Sequence, residues 1–357
     1  MIDRRNCWCV STSVLLVYLG ACGGKAAPQA TAPPPPSRPA AGAGQAQPPQ
    51  GQGDGQVTYE DLKPQPPADN APALPGPKPA TLDLTAERRS AIVNDELRKA
   101  DSALKARNAD GAVRAARTAL DADESNAAAM IRLAHGYYLK GYDDKVEAVL
   151  TIAKKRRDGE HDPVLWMLLG LTYDRNNRED EALAAYEKAT QLKPDYIAAL
   201  HNKGTIYLKR KRYADAVTTY ERLVSLQSQS PRAHTYLGAA YRGRSADDAA
   251  QREGLLRKAE SELRMAMNIN PAYAPAYFNM GILYLDADPF PGMDALPRMQ
   301  NAQKFLAEYK QKAGPAGVPQ ADDYLIAAQK GIDREQKALE RKKKKEAQQP
   351  KKKAGEQ

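Results

Sequence analysis

The sequence is poor in three residue types, and each shortage excludes a class of protein. Only three cysteines occur among 357 residues, and all of them lie within the first 22 positions, at Cys7, Cys9 and Cys22. A disulfide framework or a thiolate metal cluster needs more cysteines, spread along the fold. Phe and Trp number three and two against 18 Tyr. This balance is unusual for one large globular core and typical of small, repeated interfaces.

The positive charge is concentrated at the C-terminus. The formal net charge is +9, and the last 17 residues, from Arg341, carry eight Lys or Arg and two Glu, hence +6. The other 340 residues therefore carry only +3. This distribution predicts a basic tail and no nucleic-acid partner, because a nucleic-acid surface needs basic residues clustered on the fold. Two interpretations of the tail stay open: contact with anionic lipid headgroups, or a solubilising helix end.

Patterns that would support catalysis are missing from the sequence. The four histidines are scattered, and no His-x-x-x-His pair that could hold zinc on one helix occurs. The sequence also lacks a Gly-rich phosphate loop and a Gly-x-Ser-x-Gly motif. We therefore predict that the protein is not an enzyme and that it needs no cofactor and no metal.

The N-terminus has the features of an export signal. Arg4 and Arg5 precede a mostly apolar stretch, residues 7–19, which is too short to span a bilayer as a helix. The stretch ends in Leu19-Gly20-Ala21-Cys22, which resembles the lipobox of bacterial lipoproteins. The resemblance implies removal of residues 1–21 and acylation of Cys22, with more than one acyl chain giving a stable anchor. The alternatives are an ordinary secretory signal and a chance match to the lipobox.

The residues after Cys22 predict a tether. Gly23 and Gly24 follow the cysteine without an aspartate, which in the lipoprotein resemblance favours the outer membrane. Residues 22–80 contain 15 of the 26 prolines and few large apolar side chains, so the segment cannot bury enough surface to fold. We expect a disordered linker that holds the rest of the chain in the periplasm, away from the membrane.

A motif of about 34 residues repeats from residue 93 onward. It is clearest in residues 163–196, where eight positions follow one pattern: Trp166, Leu169, Gly170, Tyr173, Ala182, Tyr186, Ala189 and Pro194. The first four lie on one face of a predicted helix and the next three on one face of a second helix. Gly170 and Ala182 are small, which predicts close approach of the two helices, and Pro194 ends the second helix.

The pattern resembles the tetratricopeptide repeat (TPR) family. The resemblance implies an all-α superhelical solenoid of about six helix-turn-helix repeats with a C-terminal capping helix. Two late repeats each carry about nine extra residues, near Asp247 and Pro291, which we interpret as neighbouring loops. The predicted domains are the signal peptide 1–21, the lipidated cysteine and linker 22–80, the repeats 81–320, the capping helix 321–345 and the lysine-rich tail 346–357.

In TPR proteins the first helices of the repeats line a concave groove. Carrying over the groove positions of the family implies a peptide-binding site formed by His201, Asn202, Lys209, Arg232, Tyr236, Arg242 and Asn279. On this reading Lys209, Arg232 and Arg242 supply positive charge, and the two asparagines bond the backbone of a peptide. The two-carboxylate clamp of chaperone adaptors is not matched.

The resemblance implies a scaffold with protein partners in the cell envelope. We expect an adaptor that is lipid-anchored to the outer membrane, faces the periplasm, and acts in motility, pilus secretin or outer-membrane assembly. The linker and tail composition favours a gliding-motility system. The alternative is a protein that binds cell-wall glycan or activates a peptidoglycan enzyme. Glycan binding calls for clustered aromatic residues, whereas Tyr138, Tyr236 and Phe278 are scattered along the sequence.

Overall fold

A computed structural model describes residues 85–348, and these residues form two compact units, 85–156 and 157–348. The predicted signal peptide, Cys22, the linker and the end of the tail lie outside the described residues. The N-terminal unit has four helices: α1 Ala86–Lys105, α2 Ala109–Ala122, α3 Ala127–Lys140 and α4 Asp143–Lys154. Consecutive helices pack in pairs, α1 with α2 and α3 with α4.

The C-terminal unit has ten helices. They are α5 Arg157–Glu160, α6 Pro163–Arg175, α7 Glu179–Leu192, α8 Ile197–Lys209, α9 Tyr213–Leu226, α10 Pro231–Asp247, α11 Arg252–Ile269, α12 Ala274–Asp286, α13 Ala295–Ala313 and α14 Ala321–Gln348. From α6 to α13 they form four pairs. With the two pairs of the N-terminal unit this makes six, so the predicted all-α fold class with six helix pairs and a C-terminal helix is confirmed.

Local sequence signals define where the helices begin and turn. Asn108, Asn126 and Ser230 each cap the following helix by accepting a hydrogen bond from a backbone N–H. Between the two helices of a pair, the chain passes through a left-handed residue at four recurring places: Arg107, Gly141, Asn177 and Lys211. Glycine suits this conformation best, since a side chain there meets the backbone.

The two helices of a regular pair touch through a glycine and a tyrosine. A Cβ atom built on Gly170 would lie 2.5 Å from Cε1 of Tyr186, and one on Gly204 would lie 2.7 Å from Cζ of Tyr220. Both tyrosines are fully buried. The prediction that Gly170 permits close helix approach is therefore confirmed.

A second recurring contact joins each repeat of the C-terminal unit to the next. Tyrosine hydroxyls on first helices donate to glutamates on the preceding second helix: Tyr207 to Glu187 at 2.7 Å, Tyr241 to Glu221 at 2.6 Å and Tyr284 to Glu260 at 2.7 Å. Because the bonded atoms come from adjacent repeats, these bonds set the register between repeats.

The C-terminal helix packs against the last repeat with its first half. Ala328 and Ile332 are buried, and Tyr324 meets the ring of Phe278 edge-on at 5.8 Å. Every residue from 336 to 346 is exposed. Leu339, the one large apolar residue in this stretch, is 44% exposed, so the second half of the helix adds nothing to the contact.

The extra residues of the fifth repeat form helix rather than the loop we expected. α10 and α11 have 17 and 18 residues, against 13 and 14 in α8 and α9, and only residues 248–251 connect them. In the sixth repeat the insertion lengthens α13 to 19 residues and also leaves the loop 287–294. The two regions meet, since Nη2 of Arg252 donates to the Asp288 carbonyl at 3.3 Å.

A buried arginine holds the C-terminal end of α12 in this region. The Arg298 side chain is inaccessible to solvent, and its Nη1 donates to the carbonyls of Tyr284 at 2.9 Å and Leu285 at 3.2 Å. Its Nη2 lies 3.1 Å from a carboxylate oxygen of Asp288. The last carbonyls of a helix have no partner within the helix, and Arg298 supplies donors to two of them.

Candidate peptide-binding groove

The seven predicted site residues lie on three first helices of the C-terminal unit. They are, on α8, His201, Asn202 and Lys209; on α10, Arg232, Tyr236 and Arg242; and on α12, Asn279. The structure brings His201, Arg232 and Tyr236 together in one cluster. Each of the other four has its main polar contact elsewhere.

The cluster has an aromatic centre. The ring of Tyr236 stacks on that of Tyr220 with centroids 5.3 Å apart and an interplanar angle of 12°. The imidazole of His201 stands edge-on to Tyr236 at 4.9 Å. Tyr220 comes from a second helix, α9, and its hydroxyl donates to the His201 carbonyl at 3.3 Å. Tyr236 is therefore not the isolated aromatic residue that its place in the sequence suggested.

Arg232 lies beside this aromatic centre. Its guanidinium carbon is 5.8 Å from the centroid of Tyr236, within the range of a cation–π contact. Tyr273, the residue that precedes α12, belongs to the same neighbourhood: burial raises its pKa to about 12, and the nearby Tyr236 and Arg232 act on it electrostatically. No carboxylate among residues 85–348 forms an ion pair with Arg232.

The other two predicted groove cations are already paired with acids. Nζ of Lys209 lies 3.5 Å from Asp174 and 3.7 Å from Glu179. Nη1 of Arg242 donates to Asp286 at 2.7 Å, and Arg242 is only 8% exposed. The structure therefore differs from the expected row of three free cations, because these two charges are largely balanced within the protein.

The two predicted asparagines also have partners within the protein. Asn202 is buried and its amide donates to the hydroxyl of Tyr186 at 3.3 Å, across the α7–α8 contact. Asn279 donates to the carbonyl of Pro275 at 2.9 Å, one turn earlier in α12. Each amide therefore has one N–H engaged within the protein and keeps its second N–H and its oxygen.

His201 is buried without a hydrogen-bond partner. Its side chain is 8% exposed, and neither ring nitrogen forms a hydrogen bond with any described residue. Burial lowers the pKa of His201 to about 4 and Arg232 lowers it further, whereas a polar interaction with the adjacent Asn202 side chain, which does not reach hydrogen-bond geometry, opposes the shift. The ring is therefore neutral near pH 7 and adds no charge next to Arg232.

Two residues of the cluster, Tyr220 and Tyr273, were not among the predicted site residues. Tyr220 occupies a second-helix position that the repeat pattern assigns to helix pairing, and it does contact Gly204, but its ring also supports Tyr236. Tyr273 precedes a first helix and so lies outside the groove positions. Tyr196 stands at the same place before α8, and this recurrence is the signal that could have identified Tyr273.

Two other features are absent from the described residues, a metal site and a membrane-spanning helix. Across residues 85–348, the His, Cys, Asp and Glu side chains nowhere form a group of three or more that could hold a metal ion. No helix in this range is both long enough and apolar enough to cross a membrane.

The geometry defines a helical-repeat scaffold, and comparison with known proteins identifies the repeats. Tetratricopeptide-repeat models match residues 175–240, 97–141 and 146–197. The matched residues span both units, from α1 to α10. The chain therefore carries tetratricopeptide repeats, which form protein-interaction scaffolds.

The matches to individual proteins each cover only part of this chain. The chain is 28% identical over 112 residues to the protein bimA of Emericella nidulans, and 32% identical over 80 residues to the peroxisomal targeting signal receptor of Candida albicans. These matches cover 31% and 22% of the chain and span 13% of each relative. The solved structure of Pseudomonas aeruginosa PilF has a TM-score of 0.52 and 16% identity, over 67% of this chain and 98% of PilF.

Proposed function

We propose that the chain is a lipid-anchored TPR scaffold of a Gram-negative envelope, which binds a segment of a partner protein between α8, α10 and α12. One observation carries the groove assignment. Two consecutive first helices, α8 and α10, bring an unpaired guanidinium, a half-buried tyrosine and an unpartnered imidazole into contact. Repeat grooves bind extended or helical segments through such side chains.

The anchor and the location rest on the sequence. The Leu19–Cys22 lipobox and the Pro-rich segment up to residue 80 support acylation of Cys22, retention at the outer membrane and a tethered repeat domain in the periplasm. An adaptor held in this way suits the assembly of an envelope machine. Candidates are motility, pilus secretin and outer-membrane assembly, and the linker and tail composition favours gliding motility.

The glycan-binding alternative is less well supported by the cluster. Stacking on a sugar needs an open aromatic face. The ring of Tyr236 already contacts Tyr220, His201 and Arg232, which leaves little of it for a sugar. A peptide can use the polar atoms around that ring instead.

Site-specific photo-crosslinking in living cells tests the groove. A photoreactive phenylalanine analogue replaces Tyr236 in one strain and Met265 in another. Met265 is the matched control because it is 45% exposed on α11, a second helix. We expect a discrete protein adduct from position 236 and none of that size from position 265. The same adduct from both positions, or no protein adduct from position 236, would contradict the groove assignment.

The anchor is tested in the same strains. Cys22→Ala should abolish incorporation of an alkynyl fatty acid and release the protein from the membrane fraction. We expect the adduct at position 236 to weaken as well, because the anchor raises the local concentration of the scaffold near its partner. Wild-type protein that takes up no fatty acid would refute the lipoprotein assignment and leave the groove assignment to its own test.

A further inference from the structure

The cluster around Arg232 has the chemistry of an anion site. We propose that Arg232 and Tyr236 form the anchoring subsite of the groove, and that it takes the carboxylate of an aspartate or glutamate side chain from the bound protein segment. This inference rests on the proposed function and specifies what the groove recognises.

Charge balance distinguishes Arg232 from the other groove cations. Lys209 has two acids within 4 Å, and Arg242 has Asp286. Arg232 has no acid at that range among the described residues, and its guanidinium lies against the ring of Tyr236. A cation that its own fold leaves unbalanced favours an anionic ligand, whereas the paired cations would have to exchange one carboxylate for another.

The Tyr236 hydroxyl beside Arg232 is an unused hydrogen-bond donor. It bonds to no other residue in the described part of the chain, and the guanidinium of Arg232 lies 5.8 Å from the centroid of its ring. A carboxylate only accepts hydrogen bonds, and guanidinium and phenol groups both donate them.

The surroundings of the guanidinium make the contact stronger than a surface ion pair. An arginine side chain presents a planar fork that matches a carboxylate, and an aromatic ring beneath it limits its freedom. Tyr236 is itself packed on Tyr220 and His201, so the cluster is held in place before a ligand arrives. A charge-assisted contact in such a partly dry setting contributes about 10- to 100-fold in affinity.

The test is a selection from a random octapeptide library displayed on phage, against the chain from residue 23 onward. Wild type is compared with Arg232→Gln and with a matched control, Arg257→Gln. Arg257 lies on α11, is 60% exposed and pairs with Glu253 one turn away. Both variants lose one positive charge, and circular dichroism and thermal unfolding confirm that both fold.

We expect Asp and Glu at one dominant position in peptides selected by wild type and by Arg257→Gln. Arg232→Gln should still recover peptides, but without that acidic position. Synthetic copies of the peptides selected by wild type should bind Arg232→Gln about 10- to 100-fold more weakly than they bind wild type. Their affinity for wild type should fall with added salt, and that dependence should be flatter in Arg232→Gln.

The outcomes separate the inference from the proposed function. Peptides that bind with no acidic preference, or an acidic preference that survives in Arg232→Gln, would overturn the subsite while leaving peptide binding in place. Failure of all three proteins to recover any peptide would overturn both.

Discussion

The third and fourth repeats are regular, whereas the fifth and sixth are lengthened, and the two regions are stabilised differently. In α6–α9 a tyrosine of the second helix packs on a glycine of the first. In the lengthened pairs a leucine fills that place, Leu263 against Gly238 and Leu306 against Gly281. The apolar contact between the two helices is thus kept with a different side chain when the helices grow longer.

The polar groups differ more than the apolar ones. The lengthened region buries two arginines, and each is paired, Arg242 with Asp286 and Arg298 with two carbonyls and Asp288, although one nitrogen of each guanidinium, Nε of Arg242 and Nη2 of Arg298, forms no hydrogen bond in the described residues. The regular region buries His201 with no hydrogen-bond partner in the described residues. Buried polar groups are normally satisfied. The contacts of the two arginines therefore stabilise the fold. His201 has no such contact, and it lies at the proposed binding site.

The largest effect is expected from removing Arg298. Arg298→Ala leaves two helix-end carbonyls without donors and creates a cavity in the lengthened region. We expect a loss of about 3 kcal/mol in the free energy of unfolding, measured by urea denaturation. Hydrogen exchange should show the largest loss of amide protection at the C-terminal end of α12.

The control for this prediction is Arg257→Ala, which removes an exposed arginine that pairs within α11. It should change stability by less than about 0.5 kcal/mol. Equal losses in the two variants would mean that the buried network contributes no more than a surface ion pair.

A smaller loss is expected in the regular region. In Gly170→Leu the new side chain meets the buried ring of Tyr186, whose Cε1 lies 2.5 Å from the position of a Cβ. Overpacking of this kind costs about 2–3 kcal/mol, visible as a lower thermal midpoint. Gly254→Ala is the control, since a Cβ at Gly254 has no atom within 4 Å. If Gly170→Leu unfolds at the wild-type temperature, the helix pair must be able to open without cost.

Much of the fold could be predicted from the sequence because a repeat constrains local contacts. The spacing of Gly170, Tyr173 and Tyr186 predicts two helices and their contact, and the same spacing recurs in the next repeat. The insertions could not be predicted in this way. Nine extra residues are compatible with a loop or with extra helical turns, and the outcome depends on partners such as Asp288 that lie far along the chain.

The candidate site was less predictable than the fold. Groove positions carried over from the family located His201, Arg232 and Tyr236, but they did not indicate which cations are free. Arg242 is neutralised by Asp286, which is 44 residues away. Pairing at that distance depends on how neighbouring repeats pack, so only the structure distinguishes Arg232 from Arg242.

The smallest effect is expected from pH, and it tests the contrast between paired and unpartnered buried groups. Burial lowers the pKa of His201 to about 4 in the folded protein, from 6.5 for a histidine that is not buried. Between these values the unfolded chain binds the proton more readily, so stability is lost as pH falls from 6.5 toward 4. From pH 7.5 to pH 5.5 the loss should be about 1 kcal/mol.

His201→Phe should remove this share of the pH dependence and leave stability at pH 7.5 unchanged or higher, because no hydrogen bond is lost. His135 in α3 also has its pKa lowered to about 4, mainly by burial, so some pH dependence should remain in the variant. The measurement is urea denaturation at both pH values, with the exposed His161 changed to Gln as the control. If the free energy of unfolding of His201→Phe depends on pH as steeply as that of wild type, the buried imidazole is not the cause. His201 would then have a hydrogen-bond partner in solution, and that partner would have to fit within the cluster around Arg232.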